Sequence, residues 1–210
     1  MQPTEENQLC ELVSLYTKTK RLVLLAEQLD PESKSNIAIF KEQRDALDHL
    51  MRALEEALPP SEGKKPDGYF ALQIDKARGH LFRAAYDALD GLAVSCKIRI
   101  AEAMEGISNE AIHAVYSDYY PHLIEIERID HAIAERRNAK DIGDPTLQNL
   151  EAYHGEIEKF CQIVKDCQSR TTALWDWQKR DSKAKFKEKF FWPLVLAAIG
   201  AVVAALIKGR

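Results

Sequence analysis

The chain has 210 residues, of which 29 are basic, 33 are acidic and 46% are hydrophobic. This length holds one domain of ordinary size and a short additional segment, and the net charge of −4 argues against a DNA-binding protein. The four cysteines, Cys10, Cys96, Cys161 and Cys167, lack the C-x-x-C spacing of a metal or redox motif and lie in helical patterns. They therefore predict reduced core residues.

Two amphipathic helices are predicted before residue 60. Thr4, followed by two acidic residues, is typical of an N-cap, and the helix after it runs to about residue 28. Asp30 and Pro31 predict the start of a second helix. The apolar stripe of this second helix contains Phe40, Leu47, Leu50, Met51, Leu54 and Leu58. The segment 59–68, rich in proline and glycine, is predicted to be a loop.

Three further helices follow. The third spans about 69–105 and has many small residues, which predicts a central position. Gly106 ends it and Ser108 caps the fourth, in which Pro121 is expected to cause a kink near Ser117. The turn 141–145 leads to a fifth helix with near-heptad spacing and no breaker before Pro193. The sequence thus predicts an all-α fold, an antiparallel bundle of about five helices with a long C-terminal stalk helix.

The segment 190–207, FFWPLVLAAIGAVVAALI, contains no charged residue. Eighteen residues in a helix reach about 27 Å, which is just enough for a hydrocarbon layer of ~30 Å. We expect a single transmembrane helix into which the stalk continues. A buried core helix and a helix lying on the membrane surface are the alternatives.

Charge is distributed unevenly around this segment. Residues 179–189 hold six basic and two acidic residues, and two more basic residues follow the apolar segment, so residues 1–178 hold 21 basic and 31 acidic residues. The positive-inside tendency then places the helical domain 1–178 in the cytoplasm, with 179–189 as a juxtamembrane segment on anionic lipid headgroups. The protein is predicted to be a tail-anchored, single-pass membrane protein.

Small residues repeat every four positions within the apolar segment. Ala197, Ala201 and Ala205 form one row, and Gly200 and Ala204 form a second row beside it. Such spacing lets membrane helices approach closely, so we expect a homo-oligomer. An alanine-rich segment also contains such repeats without any role in assembly.

The residues 44–49 spell R-x4-H, with Arg44 and His49 at its ends. This motif resembles the ribonuclease signature of HEPN-family helical bundles, and residues 81–93, LFRAAYDALDGLA, are similar to a helix of HEPN-like proteins. The resemblance implies that Arg44 and His49 of two protomers cleave RNA by attack of its 2′-hydroxyl. It also implies a relation to membrane accessory proteins of prokaryotic antiviral systems. The family usually carries the motif on a late helix, whereas here it lies on the second.

Two other polar patterns are candidates for a site. His80, Arg83, Asp87 and Asp90 share one face of the third helix. They form either a salt-bridged surface or, if another helix covers them, a polar interface or ligand pocket. Two E-x-x-H pairs, Glu110 with His113 and Glu151 with His154, match the ligands of di-iron bundles, but the first pair points away from its apolar stripe. No Gly-rich phosphate loop or zinc cluster is present, so we expect neither a metal nor another cofactor.

Three functions remain open. The first is an oligomeric membrane effector that perturbs or permeabilises the bilayer in antiviral defence. The second is a membrane-bound HEPN-like ribonuclease. The third is a non-enzymatic adaptor that holds a cytosolic protein partner at the membrane.

Overall fold

A computed structural model describes residues 2–32, 34–58, 65–142 and 146–208, with the side chains of 136–142 and 201–208 left out of the description. All of its regular structure in these ranges is helical, which confirms the all-α bundle. The helices are α1 (Pro3–Leu29), α2 (Ile37–Ala57), α3 (Tyr69–Met104), α4 (Asn109–Val115), α5 (Tyr119–Ile142), α6 (Leu147–Phe186) and α7 (Trp192–Lys208), with a π-helical turn (Lys187–Phe191) between the last two. The predicted loop 59–68 and turn 141–145 lie largely outside the described residues.

Helix α3 is the centre of the bundle, as its small residues predicted. Five of its alanines are buried, and they let α1, α2 and α6 approach its axis closely. Consecutive long helices alternate in direction, so α2 runs antiparallel to α3, as the hydrogen-bonded pairs His49–Gln73 and Glu42–His80 show. Helix α6 runs parallel to α3 because α4 and α5 together return the chain, as shown by the contacts Asp90–Tyr153, Cys96–Cys161 and Ala103–Thr171.

Two predicted helix starts are wrong. Helix α1 begins at Pro3 and not after Thr4, because Gln2 is its N-cap and donates its backbone N–H to Glu5 Oε2 over 2.7 Å. Asp30 ends α1 and does not begin α2. Its carboxylate instead accepts backbone N–H groups of the following turn, at 2.9 and 3.0 Å. Asn36 caps α2, accepting the N–H of Ala38 over 2.9 Å.

The predicted kink in the fourth helix is a complete break. Gly106, with φ of 70°, and the cap Ser108 lie where the sequence predicted them. Helix α4 then ends at Val115, and α5 begins at Tyr119, so that Pro121 falls in the first turn of α5, where a missing N–H costs least. Tyr116 is buried at the break and its hydroxyl lies 2.7 Å from His122 Nδ1.

The apolar stripe of α2 faces the core only in part. Helix α2 turns Ile39, Ala46 and Ala53 towards α3, because the two alanines allow closer helix contact than leucine would. Of the predicted stripe, Leu50 packs against the core as a half-buried side chain, whereas Phe40 is 50% exposed and Leu47 is 54% exposed.

Helix α6 has 40 residues and is the predicted stalk. Phe186 and Trp192, at the two ends of the π-helical turn, both have helical dihedral angles, so the backbone continues into α7 without leaving a helical conformation. Among the described residues, none of the helices combines the length and the apolar character needed to cross a membrane. Helix α7 by itself has 17 residues.

Candidate functional site

An apolar groove lies between α1 and α2. Both helices rest on α3, and between them a groove of about 690 Å³ remains, with Ala77 and Leu81 of α3 at its base. Its walls are Leu9, Leu12, Val13 and Tyr16 from α1, and Phe40, Gln43, Arg44, Ala46, Leu47, Leu50 and Leu54 from α2. Three helices with an open channel of this kind have the shape of a bundle that lacks one helix.

A polar cluster lies on the other side of α2, against α3. His49 donates its Nδ1 hydrogen to Gln73 Oε1 over 2.7 Å, and the ring of His49 stacks on that of His80 at 5.3 Å between centroids. Glu42 accepts from His80 Nδ1 and from Arg83 Nε, each over 2.8 Å. Arg83 Nη2 lies 2.7 Å from the same His80 Nδ1. Because the Glu42 carboxylate can only accept and the Arg83 guanidinium can only donate, Nδ1 serves one of these two partners at a time.

The charges of this cluster compensate each other. Burial raises the pKa of Glu42, but the hydrogen bonds from Arg83 and His80 together outweigh it and hold that pKa below its ordinary value. Glu42 is therefore ionised at neutral pH and fixes His80 and Arg83 against α2. The cluster joins α2 to α3 by polar contacts in the same way that Ala46 and Ala53 join them by apolar ones.

The predicted catalytic pair is not brought together within one chain. His49 faces Gln73 in the polar cluster, whereas the Arg44 side chain is 72% exposed, pairs with Asp45 at 2.7 Å and lines the apolar groove. Five residues along a helix correspond to a rotation of about 140°, so the two side chains leave α2 on different sides. A ribonuclease centre built from Arg44 and His49 stays a prediction.

The predicted polar face of α3 is divided in two. Glu42 of α2 contacts both His80 and Arg83, but only His80 is largely covered, with 18% of its side chain exposed compared with 49% for Arg83. The alternative in which a second helix lies over this face therefore applies to His80. Asp87 and Asp90 are half-buried and line a separate cleft of about 510 Å³ beside the connection between α1 and α2. Asp90 accepts a hydrogen bond from the Tyr153 hydroxyl of α6 over 2.6 Å, which gives it a role in joining helices.

The two E-x-x-H pairs have protein partners of their own. Glu151 forms an ion pair with Lys18, and His154 lies 3.8 Å from Glu158. His113 Nε2 lies 3.4 Å from the hydroxyl of Tyr120. Within the described ranges, no group of three or more histidine, cysteine or acidic side chains has the arrangement of a metal site.

The predicted core position is correct for only some of the four cysteines. Cys96 and Cys167 are buried, as expected, but Cys10 is exposed on α1, so the prediction of a core position is wrong for it. Cys161 is half-buried, with its sulfur 3.8 Å from that of Cys96. The sequence could not indicate this pair, because the two residues lie 65 positions apart on helices whose register only the fold sets.

No family model, curated protein or solved structure matches this chain.

Proposed function

We propose that this chain is a membrane effector that is anchored through 190–207, self-associates, and perturbs or permeabilises the bilayer. The observation that carries the proposal is the surface of the last helix. Every described side chain from Trp192 to Ile199 is exposed except Val195, which is half-buried. Apolar side chains that are exposed on the described part of this helix favour another apolar environment, and lipid is the one that fits the uncharged sequence 190–207.

The residues before this helix support attachment to an anionic membrane. All six basic side chains of 179–189 are exposed. Near an anionic surface each contributes about 1 kcal/mol of attraction. Phe190, Phe191 and Trp192 follow directly, and their exposed rings suit the depth of the lipid headgroups. This order of basic, aromatic and apolar residues supports an N-terminal domain on the cytoplasmic side.

The apolar groove supports self-association, and we propose a second copy of the chain as its occupant. Val13, Tyr16, Phe40 and Leu47 line the groove and remain roughly half exposed, and Met51 and Leu58, elsewhere on α2, are exposed to a similar degree. At on the order of 100 Å² each, they provide about 600 Å², compared with about 800 Å² per partner in a standard interface. Arg44, Asp45, Asp48 and Arg52 beside them balance in charge, so a second copy meets no net repulsion.

Attachment and self-association reinforce each other. Chains held on one membrane surface are concentrated there, so that the groove contact forms more readily than between chains free in solution. Ala197 and Gly200 lie exposed on α7, in the small-residue rows that predicted close helix contact. The other residues of these rows, Ala201, Ala204 and Ala205, have side chains outside the description. The resemblance to HEPN-like accessory proteins adds antiviral defence as the proposed setting.

Dye release from liposomes tests the effector function. Full-length protein is compared with a variant in which residues 194–207 are replaced by a transmembrane sequence unrelated to them but equally hydrophobic. We expect both proteins to float with vesicles containing anionic lipid, and only the natural sequence to release dye. Equal release by both proteins contradicts the effector, and recovery of the natural protein in the aqueous fraction contradicts the membrane attachment as well.

The same preparations separate the two other functions. An adaptor keeps its cellular activity after the replacement of 194–207, since tethering needs only a span. A ribonuclease cleaves RNA, and both Arg44→Ala and His49→Ala abolish that cleavage. Of these two, the groove favours the adaptor, because its shape suits an amphipathic helix of a protein partner.

A further inference from the structure

Two thiols face each other between the central helix and the stalk. Cys96 of α3 is completely buried, and Cys161 of α6 is half-buried at the edge of the same contact. Their sulfur atoms are 3.8 Å apart, so they must approach by about 1.8 Å to reach the ~2.05 Å of a disulfide. Because α3 and α6 already pack against each other here, side-chain rotation can provide most of this movement.

The two thiols differ in reactivity and in access. The hydrogen bond from Cys96 lowers the pKa of Cys161, burial opposes this, and Lys165 one turn away lowers the pKa further. The same contact, together with burial, raises the pKa of Cys96. Cys161 is thus the thiol that ionises more readily and that a small oxidant can reach, and Cys96 is the thiol that lies behind it.

We propose that Cys96 and Cys161 form an inducible disulfide, a modification site whose oxidant is hydrogen peroxide. The Cys161 thiolate attacks the peroxide oxygen and, with one proton taken up, becomes a sulfenic acid while one water is released. The Cys96 sulfur then attacks the sulfenic sulfur, loses its proton, and expels a second water as the disulfide forms. The two electrons lost by the thiol pair are those gained by the peroxide.

The disulfide would join the stalk covalently to the central helix. Closing a loop of 65 residues restricts the unfolded chain, so the oxidised protein should unfold roughly 5 to 15 °C above the reduced protein. The position is also suited to reversal, since a thiol pair that is close but not bonded can open again under reduction without repacking of the helices. This inference does not depend on the proposed membrane function.

The test uses reduced full-length protein in a nonionic detergent, treated with hydrogen peroxide at a small molar excess. Intact mass should fall by about two hydrogen masses, and peptide mapping without reduction should find one cross-linked peptide, 96 to 161. Exposed Cys10 should remain largely a thiol during this time and is the internal control. Cys96→Ser should stop the reaction at an oxidised Cys161, with no cross-linked peptide. Cys161→Ser should leave Cys96 as a thiol.

Several results overturn the proposal. It fails if Cys10 is oxidised first while Cys96 and Cys161 remain thiols, or if Cys161 passes to the sulfinic acid without joining Cys96. A lower unfolding temperature after oxidation also overturns it, because unlinked acids at this contact would disturb the core. Peptide mapping of the natural sequence decides the matter even if a serine variant folds poorly.

Discussion

Substitution of Leu47 by glutamate tests the apolar groove as the contact between two copies. Leu47 lies in the wall of the groove and is 54% exposed in the single chain. Burying the exposed half of a leucine contributes about 1 kcal/mol, and a two-fold interface contains each residue twice. Leu47→Glu therefore removes about 2 kcal/mol of binding free energy from the dimer. It also brings two carboxylates against an apolar surface, which costs about 1 kcal/mol or more for each carboxylate. A total of about 4 kcal/mol weakens association ~1,000-fold.

Leu24→Glu is the matched control for this experiment. Leu24 is also a helical leucine with 54% exposure, but it lies on α1 outside the groove. Both variants should keep the helical content and unfolding temperature of the natural sequence, since each replaces a side chain that is half in solvent. Any difference between them in association then comes from the position in the groove.

Mass-resolved chromatography in detergent, at micromolar concentration, measures the association. We expect the natural sequence and Leu24→Glu to run as oligomers and Leu47→Glu to run as a monomer. The same three proteins are also prepared with residues 190–207 replaced by an unrelated span. In this second set, contacts between the natural spans cannot hide the effect of the groove substitution. The reasoning is refuted if the natural sequence is monomeric, or if Leu47→Glu associates as strongly as Leu24→Glu.

Four further substitutions test the bundle itself. Glu42→Gln should lower the free energy of unfolding by about 1 to 3 kcal/mol at neutral pH. Because the pKa of Glu42 is lowered in the folded protein, this difference between the two proteins should shrink below pH 4.5 in denaturant titrations. A difference that stays constant with pH would contradict the ionised cluster. His49→Ala should cost about 1 to 3 kcal/mol by leaving Gln73, which is 3% exposed, without its partner, and an unchanged unfolding temperature would contradict that role. Gly106→Ala should destabilise the fold by about 1 to 2 kcal/mol because Gly106 has a φ of 70°. Gly91→Ala, whose new methyl group lies in open space within α3, should instead stabilise the fold by up to about 1 kcal/mol. Equal effects of the two substitutions in thermal unfolding would be inconsistent with this explanation.

The helix boundaries show where local rules were sufficient. Gly106 and Ser108 were predicted at the junction of α3 and α4 because a left-handed residue and a side-chain cap each act on their own neighbours. Asp30 misled the prediction, since aspartate before proline suits both a helix start and a turn. Arg99 of α3 binds the carbonyl groups of Leu29 and Asp30, at 3.2 and 3.3 Å, and so favours the turn. That contact joins residues about 70 positions apart.

The candidate sites show the same division. The five-residue spacing of the R-x4-H motif already places Arg44 and His49 on different sides of a helix, but the sequence did not indicate that His49 would contact Gln73 and Arg44 would line the groove. The polar face of α3 was recognised from its spacing, but its partner Glu42 was not, because the spacing within one helix does not say which helix covers it. Of the apolar residues of α2 that were predicted to be core residues, Leu50 packs against the core, but Phe40 and Leu47 are exposed and the alanines Ala46 and Ala53 are buried in their place.

The amino-acid sequence by itself determined the helical class, the central α3, the long stalk and the apolar C-terminal segment, because helical periodicity, caps and uninterrupted apolar character are properties of consecutive residues. Only the tertiary structure decided that α1 and α2 leave a groove, that Glu42 holds His80 and Arg83, and that Cys96 faces Cys161. These features arise from the distance and register between helices. The distance and the register are determined by how the volumes of side chains far apart in the sequence fit together.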